Sequence, residues 1–311
     1  MTDYNLKEKK RFVVIDGNHL IHRAFYAIQN PLKTSSGEQT NAIYGFSSMV
    51  LNIIERDHPD YIAMTFDERA PTFRHEAHKE YKGTRKKTPD ELHAQVPRIR
   101  EMVKRFNMPS FSKEGFEADD MMGTLSKKAE ADNIETNIVT GDMDMLQLIN
   151  DNIIVTFPHK GYKEPTIFNA KKVYDKYQIH PDQVVDYKAM VGDSSDNIKG
   201  IDGIGPKGAS DLLDKYKTLD GIYDHLDDIA SKNMRNKLIN DRDAAYFAKS
   251  LATIVVDVPC EFNKEDAELS KLDFLGLLKF FEEMEMRSLQ NRLKKMIPAD
   301  RLMPEAQMSM F

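Results

Sequence analysis

The chain has 311 residues, a net charge of −6 at pH 7 and a single cysteine, Cys260. One cysteine excludes a disulfide framework and suits a reducing compartment, and no apolar stretch reaches the length of a membrane span. We therefore expect a soluble, cytoplasmic protein made of one large domain or two smaller ones, with enough chain to bury a core.

Three short apolar runs in the first half of the chain each lead into acidic residues. Asp16 ends the first run, Asp67 follows the second, and Asp142 and Asp144 follow the third. Each run predicts a buried strand, and the alternation of strands and helices from residue 11 to about 156 predicts a mostly parallel sheet. Ligand sites in such sheets lie beyond the carboxyl ends of the strands, so we expect these carboxylates to share one crevice.

Two further acidic groups stand where helices are predicted to begin. The first contains Glu117, Asp119 and Asp120, and the second contains Asp193 and Asp196. Any one of these acids could be an ordinary helix cap or loop residue. Together they predict a metal site, because crowded carboxylates repel unless cations neutralise them. Oxygen ligands without Cys and His favour Mg²⁺ or Mn²⁺ over zinc.

The segment of residues 69–100 interrupts the alternation directly after Asp67, and it is rich in basic side chains. A long polar insertion beside a site is usually functional. We expect Arg74, Lys82 and Arg85 to bind phosphates and the aromatic residues Phe73 and Tyr81, above all Tyr81, to stack on bases. The alternative is an exposed helix pair whose charges serve only solubility.

From residue 184 the pattern becomes helical, and a glycine-rich hairpin at 200–208 joins two predicted helices. Gly203 and Gly205 allow a backbone to approach a phosphate closely, and the following helix offers free N–H groups. Lys207 adds a positive charge at the same place. The hairpin predicts binding of duplex nucleic acid without sequence preference; the alternative is a turn that binds no ligand. Further on, residues 271–296 predict an amphipathic helical segment that packs on the body of the protein.

The acidic motifs and the hairpin, taken in this order, resemble the 5′-nuclease family. That family includes the 5′–3′ exonuclease domain of bacterial DNA polymerase I and the flap endonucleases. The resemblance extends from about residue 11 to 295 and rests on Val-Ile-Asp16-Gly-Asn, Phe-Asp67, Gly-Phe-Glu117-Ala-Asp119-Asp120, Thr-Gly-Asp142-Met-Asp144, Val-Gly-Asp193-Ser-Ser-Asp196-Asn and Gly-Ile-Gly-Pro-Lys207.

The resemblance implies a PIN-like α/β domain at 1–183, with a helical arch formed by residues 69–100. It also implies a helical DNA-binding region at 184–297, with a helix–three-turn–helix motif at about 184–220. In relatives that hairpin also binds K⁺ through main-chain groups. The implied protein is a monomer, associated with the nucleoid, that acts on 5′ ends and 5′ flaps of DNA in replication and repair.

The implied chemistry is hydrolysis of a phosphodiester by two divalent ions roughly 4 Å apart. By similarity, one ion is held by Asp67, Glu117 and Asp119, with Asp16 acting directly or through water. The other ion is held by Asp142, Asp144 and Asp193, while Asp120 and Asp196 lie at or just outside the direct ligands. Lys82 and Arg74 resemble arch residues that assist the phosphate, and Arg23 is a further phosphate contact.

The last residues, 298–311, predict a flexible tail that ends in Gln307-Met-Ser-Met310-Phe311. This pentapeptide resembles the clamp-binding motif of bacterial replication proteins, with Met in place of each Leu. Such peptides place apolar anchors in a preformed groove. The motif favours a free-standing nuclease over the front part of a polymerase, while an unstructured end without a partner is the alternative.

Two other classes of function compete with the nuclease. A Mg²⁺-dependent phosphatase or phosphotransferase would use a strand-end aspartate, yet Asp16 is followed by Gly17 and Asn18 where such enzymes have a second aspartate two positions on. That class also leaves the basic insertion and the hairpin without a role. A non-catalytic DNA-junction binder is the other alternative, and the complete set of carboxylates argues against it.

Overall fold

The computed structural model describes residues 9–28, 30, 32–85, 87–159 and 162–297. Its centre is a sheet with strand order β3-β2-β1-β4-β5-β6, in which β1 to β5 run parallel and β6 pairs antiparallel to β5. This confirms the predicted mostly parallel sheet. The strands are β1 (Arg11–Asp16), β2 (Tyr61–Thr65), β3 (Ser110–Phe111), β4 (Glu135–Val139), β5 (Ile153–Phe157) and β6 (Thr166–Phe168).

Helices cover both faces of the sheet and form the second half of the chain. Those of the first half are α1 (Gly17–Ala27), α2 (Asn41–Asp57), α3 (Phe73–Ala77), α4 (Asp90–His93), α5 (Val96–Arg105), α6 (Ala118–Ala131) and α7 (Ala170–Tyr177). Those of the second half are α8 (Val184–Val191), α9 (Pro206–Tyr216), α10 (Leu219–Asp224), α11 (Lys232–Asn240), α12 (Arg242–Ala252), α13 (Phe274–Glu283) and α14 (Arg287–Met296). Among the described residues, we find no helix with the length and apolarity to cross a membrane.

The alternation of side chains along β1 separates two apolar cores. Val13 and Ile15 face the core that α1, α2 and α5 help to form, whereas Phe12 and Val14 face the core shared with α6 and with α8 to α12. All four side chains are buried, and each contributes about 1.5–3 kcal/mol of transfer free energy. Two well-filled faces keep the carboxyl end of β1 at a fixed position between its neighbours β2 and β4.

The chain returns to the first core at its far end. Phe280 and Phe281 on α13 and Leu293 on α14 are fully buried there, in contact with α5 and α2. This confirms the prediction that residues 271–296 form a helical segment packed on the body. It also means that α13 and α14 pack on the sheet domain, although they follow the helices around the hairpin in sequence.

The insertion at 69–100 differs from the expected helical arch. Its described residues form the short helices α3 and α4, turns around residues 79–85, and the beginning of α5. Arg74 and Tyr81 of this segment are buried, and they anchor the segment against the carboxyl edge of the sheet. Two of its basic residues, Lys82 and Arg85, thereby pair with acidic residues at this edge.

Candidate active site

The carboxyl ends of β1, β2 and β4 bring acidic residues to one edge of the sheet. Asp16 ends β1 and caps α1: it accepts hydrogen bonds from the backbone N–H of His19 at 2.9 Å and from Thr140 Oγ1 at 2.8 Å. Asp67, just beyond β2, accepts from the N–H of Ala118 at 2.8 Å, in the first turn of α6. These bonds tie neighbouring strand ends and the start of α6 into one rigid rim.

The acids at this edge lie close enough together to change one another's pKa values. Burial raises the pKa of Asp16 to about 6, against the hydrogen bond from His19, and the Asp67 carboxylate adds to the rise. Burial also raises the pKa of Asp119 well above its usual range, with Asp142 and Asp16 as further causes. Burial raises the pKa of Asp142 as well. Acids from three strands and one helix therefore interact in one crevice, as predicted, and a cation would relieve their repulsion.

A second group of carboxylates lies beside the first. Asp144 belongs to a 3₁₀ helix at Met143–Leu148, and Asp193 and Asp196 follow α8. One oxygen from each of the three lies within 4.8 Å of the others, which suits a shared cation. Asp196, predicted to lie at or just outside the direct ligands, thus belongs to this group together with the predicted ligands Asp144 and Asp193.

Lys188 on α8 is a site residue that the sequence analysis missed. Its ammonium pairs with Asp144 and donates to Asp193 at 2.6 Å. Burial raises the pKa of Asp193, but the charge and hydrogen bond of Lys188, together with hydrogen bonds from Ser195, lower that pKa to about 2. A lone lysine within the otherwise mostly apolar run of α8 was the available signal, since a buried ammonium requires an acidic partner. The two carboxylates thus already bind one cation, which shows that this pocket accommodates positive charge.

Two basic residues of the insertion contact the acidic groups. Lys82 Nζ donates to Glu117 at 2.8 Å and lies 3.9 Å from Asp196. Arg85 is half exposed and donates to Asp196 at 2.6 Å. Arg85 is thus the more exposed of the two cations, whereas Lys82 is largely buried beside the acidic groups.

Arg74 and Asp120 do not take the positions expected of a phosphate contact and a metal ligand. Arg74 is 1% exposed and binds Asp120 through two hydrogen bonds, of 2.7 and 2.8 Å. It also donates to the carbonyl groups of Leu251 and Thr253. Asp120 is fully buried and accepts in addition from the N–H of Glu117. The ion pair thus joins α3 to α6, and the carbonyl contacts of Arg74 join α3 to the end of α12.

Tyr81 also differs from its predicted role of stacking on bases. It is 4% exposed, and its ring meets the edge of His75 at 5.2 Å between centroids. Its hydroxyl lies 3.1 Å from Glu117 and 3.0 Å from Asp196, so it can donate to either carboxylate. Tyr81 thus connects the two acidic groups through its hydroxyl, and its buried ring is not accessible to a base.

The predicted nucleic-acid contacts outside the insertion lie at the surface. Gly203 and Gly205 are exposed, and Gly205 precedes the first turn of α9, where Lys207 is exposed as well. Arg23 is half-buried on α1, and burial lowers its pKa. Within the described part of the chain, no acidic side chain pairs with Arg23, so its guanidinium is available to an anion. Gln307, Met310 and Phe311, predicted to bind a clamp, lie outside the described residues.

Family models match most of the chain in two consecutive segments. The 5′-3′ exonuclease N-terminal resolvase-like domain matches residues 11–178, and the 5′-3′ exonuclease C-terminal SAM fold matches residues 179–274. The chain therefore belongs to the 5′-3′ exonuclease family, which confirms the resemblance seen in its motifs.

Curated proteins similar to this chain include DNA polymerases I. The one from Caldicellulosiruptor bescii is 40% identical over 285 residues, which is 91% of this chain and 33% of that protein. The one from Bacillus subtilis is 36% identical over 288 residues, 93% of this chain and 33% of that protein. The chain thus spans about a third of the length of these relatives.

Solved structures with the same fold include two nucleases of low sequence identity. T5 5′-exonuclease with bound zinc aligns at a TM-score of 0.66 and 18% identity, over 89% of this chain and 99% of that chain. The catalytic core of Rad2 in complex with DNA substrate aligns at 0.58 and 15%, over 94% and 93%. At these identities the likeness concerns the fold alone.

Proposed function

We propose that this chain hydrolyses DNA phosphodiesters at 5′ ends and at 5′ flaps of duplex junctions, with the help of two divalent cations. The observation that carries the proposal is the pair of acidic groups at the carboxyl edge of the sheet, faced by Lys82 and Arg85. Membership of the 5′-3′ exonuclease family supports it. Solved structures of similar fold, described with divalent metal ions or with DNA substrate, support it as well.

The donor set fits Mg²⁺ or Mn²⁺, because all the side chains concerned offer carboxylate oxygen. We propose that Asp16, Asp67, Glu117 and Asp119 hold one ion. The second ion would be held by Asp142, Asp144 and Asp193, with Asp196 beside them. When bound, such ions supply an activated water and neutralise the leaving oxygen.

The chain's own residues prepare this site for a phosphate. Lys82 neutralises Glu117 in the described structure and is long enough to turn towards an anion above the crevice. Tyr81 holds the carboxylates of Glu117 and Asp196 in orientation. Arg85 brings a second positive charge from a half-exposed position. Positive charge placed where negative charge accumulates on the phosphate favours the transition state.

Duplex DNA would be bound through its sugar–phosphate backbone by residues outside the acidic groups. The hairpin at 200–208 and the N-terminus of α9 offer backbone N–H groups and Lys207, and Arg23 on α1 supplies a further contact. A cation at the hairpin carbonyl groups belongs to this proposal. K⁺ is one candidate, and the Lys237 ammonium, which donates to the Gly203 carbonyl at 2.8 Å, is the other.

The cellular setting is part of the same proposal. Because the curated relatives are DNA polymerases I, we propose a role in DNA replication and repair, by a monomer that works at the nucleoid. A sliding clamp would hold the enzyme at junctions through residues 307–311. Deletion of these five residues is expected to abolish clamp binding in a pull-down and to leave cleavage of a flap substrate unchanged; equal clamp binding with and without them would refute this part.

Incubation with a labelled 5′-flap duplex, with Mg²⁺ and with EDTA, tests the central proposal. We expect cleavage at the junction with Mg²⁺ and intact, bound substrate with EDTA. Binding without cleavage in both conditions would indicate a junction-binding protein. Hydrolysis of a small phosphate ester, with the flap left intact, would indicate a phosphatase.

A further inference from the structure

Two side chains of opposite charge hold the hairpin from the end of α11. Lys237 Nζ donates to the carbonyl of Gly203 at 2.8 Å, and the carboxylate of Asp241 accepts from the N–H of Asp202 at 2.8 Å. Residues four apart lie on one side of a helix, so both contacts come from the same face at the end of α11. They bind adjacent residues of the hairpin. We name Lys237 and Asp241 the hairpin clasp.

The contact with Lys237 depends on glycine at position 203. Gly203 has φ +71°, in the left-handed region that other residues rarely adopt. A Cβ built on it would lie 2.4 Å from Lys237 Nζ, closer than a Cβ approaches a neighbouring atom, so the ammonium would have to move away. The backbone conformation and the missing side chain together create the space that the ammonium fills.

We propose that the Lys237 ammonium provides the positive charge at this hairpin, so that duplex binding by this chain does not require K⁺. The resemblance to the 5′-nuclease family implies a K⁺ ion on the carbonyl groups of residues 200–208, yet the Gly203 oxygen already accepts a charge-assisted hydrogen bond. A K⁺ ion on that oxygen would repel the ammonium beside it. The inference rests on the proposed role of the hairpin in duplex binding.

A tethered charge has consequences that a free ion does not. Lys237 is always present at high local concentration, so the hairpin stays formed whichever monovalent salt surrounds the protein. Affinity for the duplex should still fall as total salt rises, because phosphate contacts displace counterions. Ionic strength and ion identity are therefore separable in an experiment.

Duplex affinity of the full chain, measured in EDTA to prevent cleavage, tests the clasp. We expect the unaltered protein to bind equally, within about twofold, in KCl, NaCl and tetramethylammonium chloride at one ionic strength. Lys237→Met should bind about tenfold more weakly in NaCl, as expected for a lost charge-assisted hydrogen bond, and should regain part of that loss in KCl. Lys232→Met is the matched control: it removes the same charge from an exposed position at the start of α11, and its binding should stay indifferent to the cation.

Hydrogen exchange of the backbone amides at 201–205, without DNA, separates the clasp from DNA binding. We expect faster exchange in Lys237→Met than in the unaltered protein when NaCl is the salt, with slower exchange restored by KCl. Unaltered protein that binds duplex or protects these amides only in KCl would overturn the inference. Weaker binding by Lys237→Met with unchanged amide exchange would also overturn it, since Lys237 would then be a phosphate contact. If the amides exchange as expected but the protein binds no duplex, the proposed function would be wrong and the role of the clasp in holding the hairpin would stand.

Discussion

Asp119 and Asp142 are the residues whose negative charges we expect to matter most for binding a cation in the acidic crevice. Each is held near other carboxylates, and burial raises the pKa of both. Their side chains keep an ionised form at neutral pH most easily when a cation is bound beside them. A neutral side chain of the same shape would therefore remove metal affinity while leaving the surroundings in place.

We predict that Asp119→Asn and Asp142→Asn each reduce flap cleavage by more than about a hundredfold, because even indirect partners of a metal are worth about 10–100-fold. Binding of the flap duplex should persist or tighten, since repulsion towards phosphate falls. Single-turnover rates at saturating Mg²⁺ and binding without metal measure the two effects. Turnover at the unaltered rate in both variants would remove these residues from the metal site.

At the scale of elements, the Arg74–Asp120 pair joins three parts of the chain that are far apart in sequence. The carbonyl partners of Arg74 lie 177 and 179 residues further along, in the last turn of α12 and directly after it. Both charged groups are almost fully buried, so each depends on the other for compensation. The pair positions α6, which carries Glu117 and Asp119 at its start.

We predict that Arg74→Met destabilises the protein by about 3–5 kcal/mol, because it leaves the buried carboxylate of Asp120 without its partner. The double variant with Asp120→Asn should recover part of this loss. Urea unfolding measures both. If Arg74→Met instead kept full stability and lost only phosphate affinity, Arg74 would be a phosphate contact and its pairing with Asp120 would not stabilise the fold.

The insertion and the hairpin are expected to act at different stages of the reaction. We predict that Lys82→Ala mainly slows single-turnover cleavage, because Lys82 contacts the acidic groups. Lys207→Ala should mainly weaken duplex binding and reduce its salt dependence by about one phosphate contact. Cleavage rates at saturating enzyme and binding slopes against salt separate the two, and the opposite assignment of effects would show that our division of roles is wrong.

At the scale of the whole molecule, the sequence predicts the sheet and the position of its acids because both depend on local patterns. Buried strands appear as short apolar runs, and the acids at their ends meet once the strands lie parallel. Asp16, Asp67 and Asp142 are placed together for this reason. The predicted family follows from the same ordered motifs.

The errors concern residues whose environment is built by distant packing. Arg74 and Tyr81 look like surface groups within a basic segment, yet the folded chain buries both. Tyr81 contacts Asp196, 115 residues away, and no local pattern encodes that contact. Lys188 was missed because helical periodicity does not show which charged residue has a buried partner. Whether a single polar group is buried thus depends on tertiary packing. The position of the acids at the sheet edge, in contrast, follows mainly from the local sequence.

The second acidic group links the two halves of the molecule, since Asp144 follows the sheet strand β4 and Asp193 follows α8. Lys188 supplies the positive charge between them in the described structure. A cation that binds only the folded state adds stability, about 2.7 kcal/mol at a hundred times its dissociation constant. The ammonium and such a cation compete for the same carboxylates.

We therefore predict that Mg²⁺ or Mn²⁺ raises the thermal unfolding midpoint relative to EDTA at equal ionic strength, and that Lys188→Met enlarges this gain. The variant should unfold at a lower temperature without metal, because Asp144 and Asp193 then repel without compensation. With saturating metal, the variant should recover most of the difference, whereas Lys171→Met, which removes an exposed lysine on α7, should behave as the unaltered protein. Calorimetric scans with and without metal provide the measurement. A gain from metal that is the same with and without Lys188 would mean that the ammonium and the cation do not share a site.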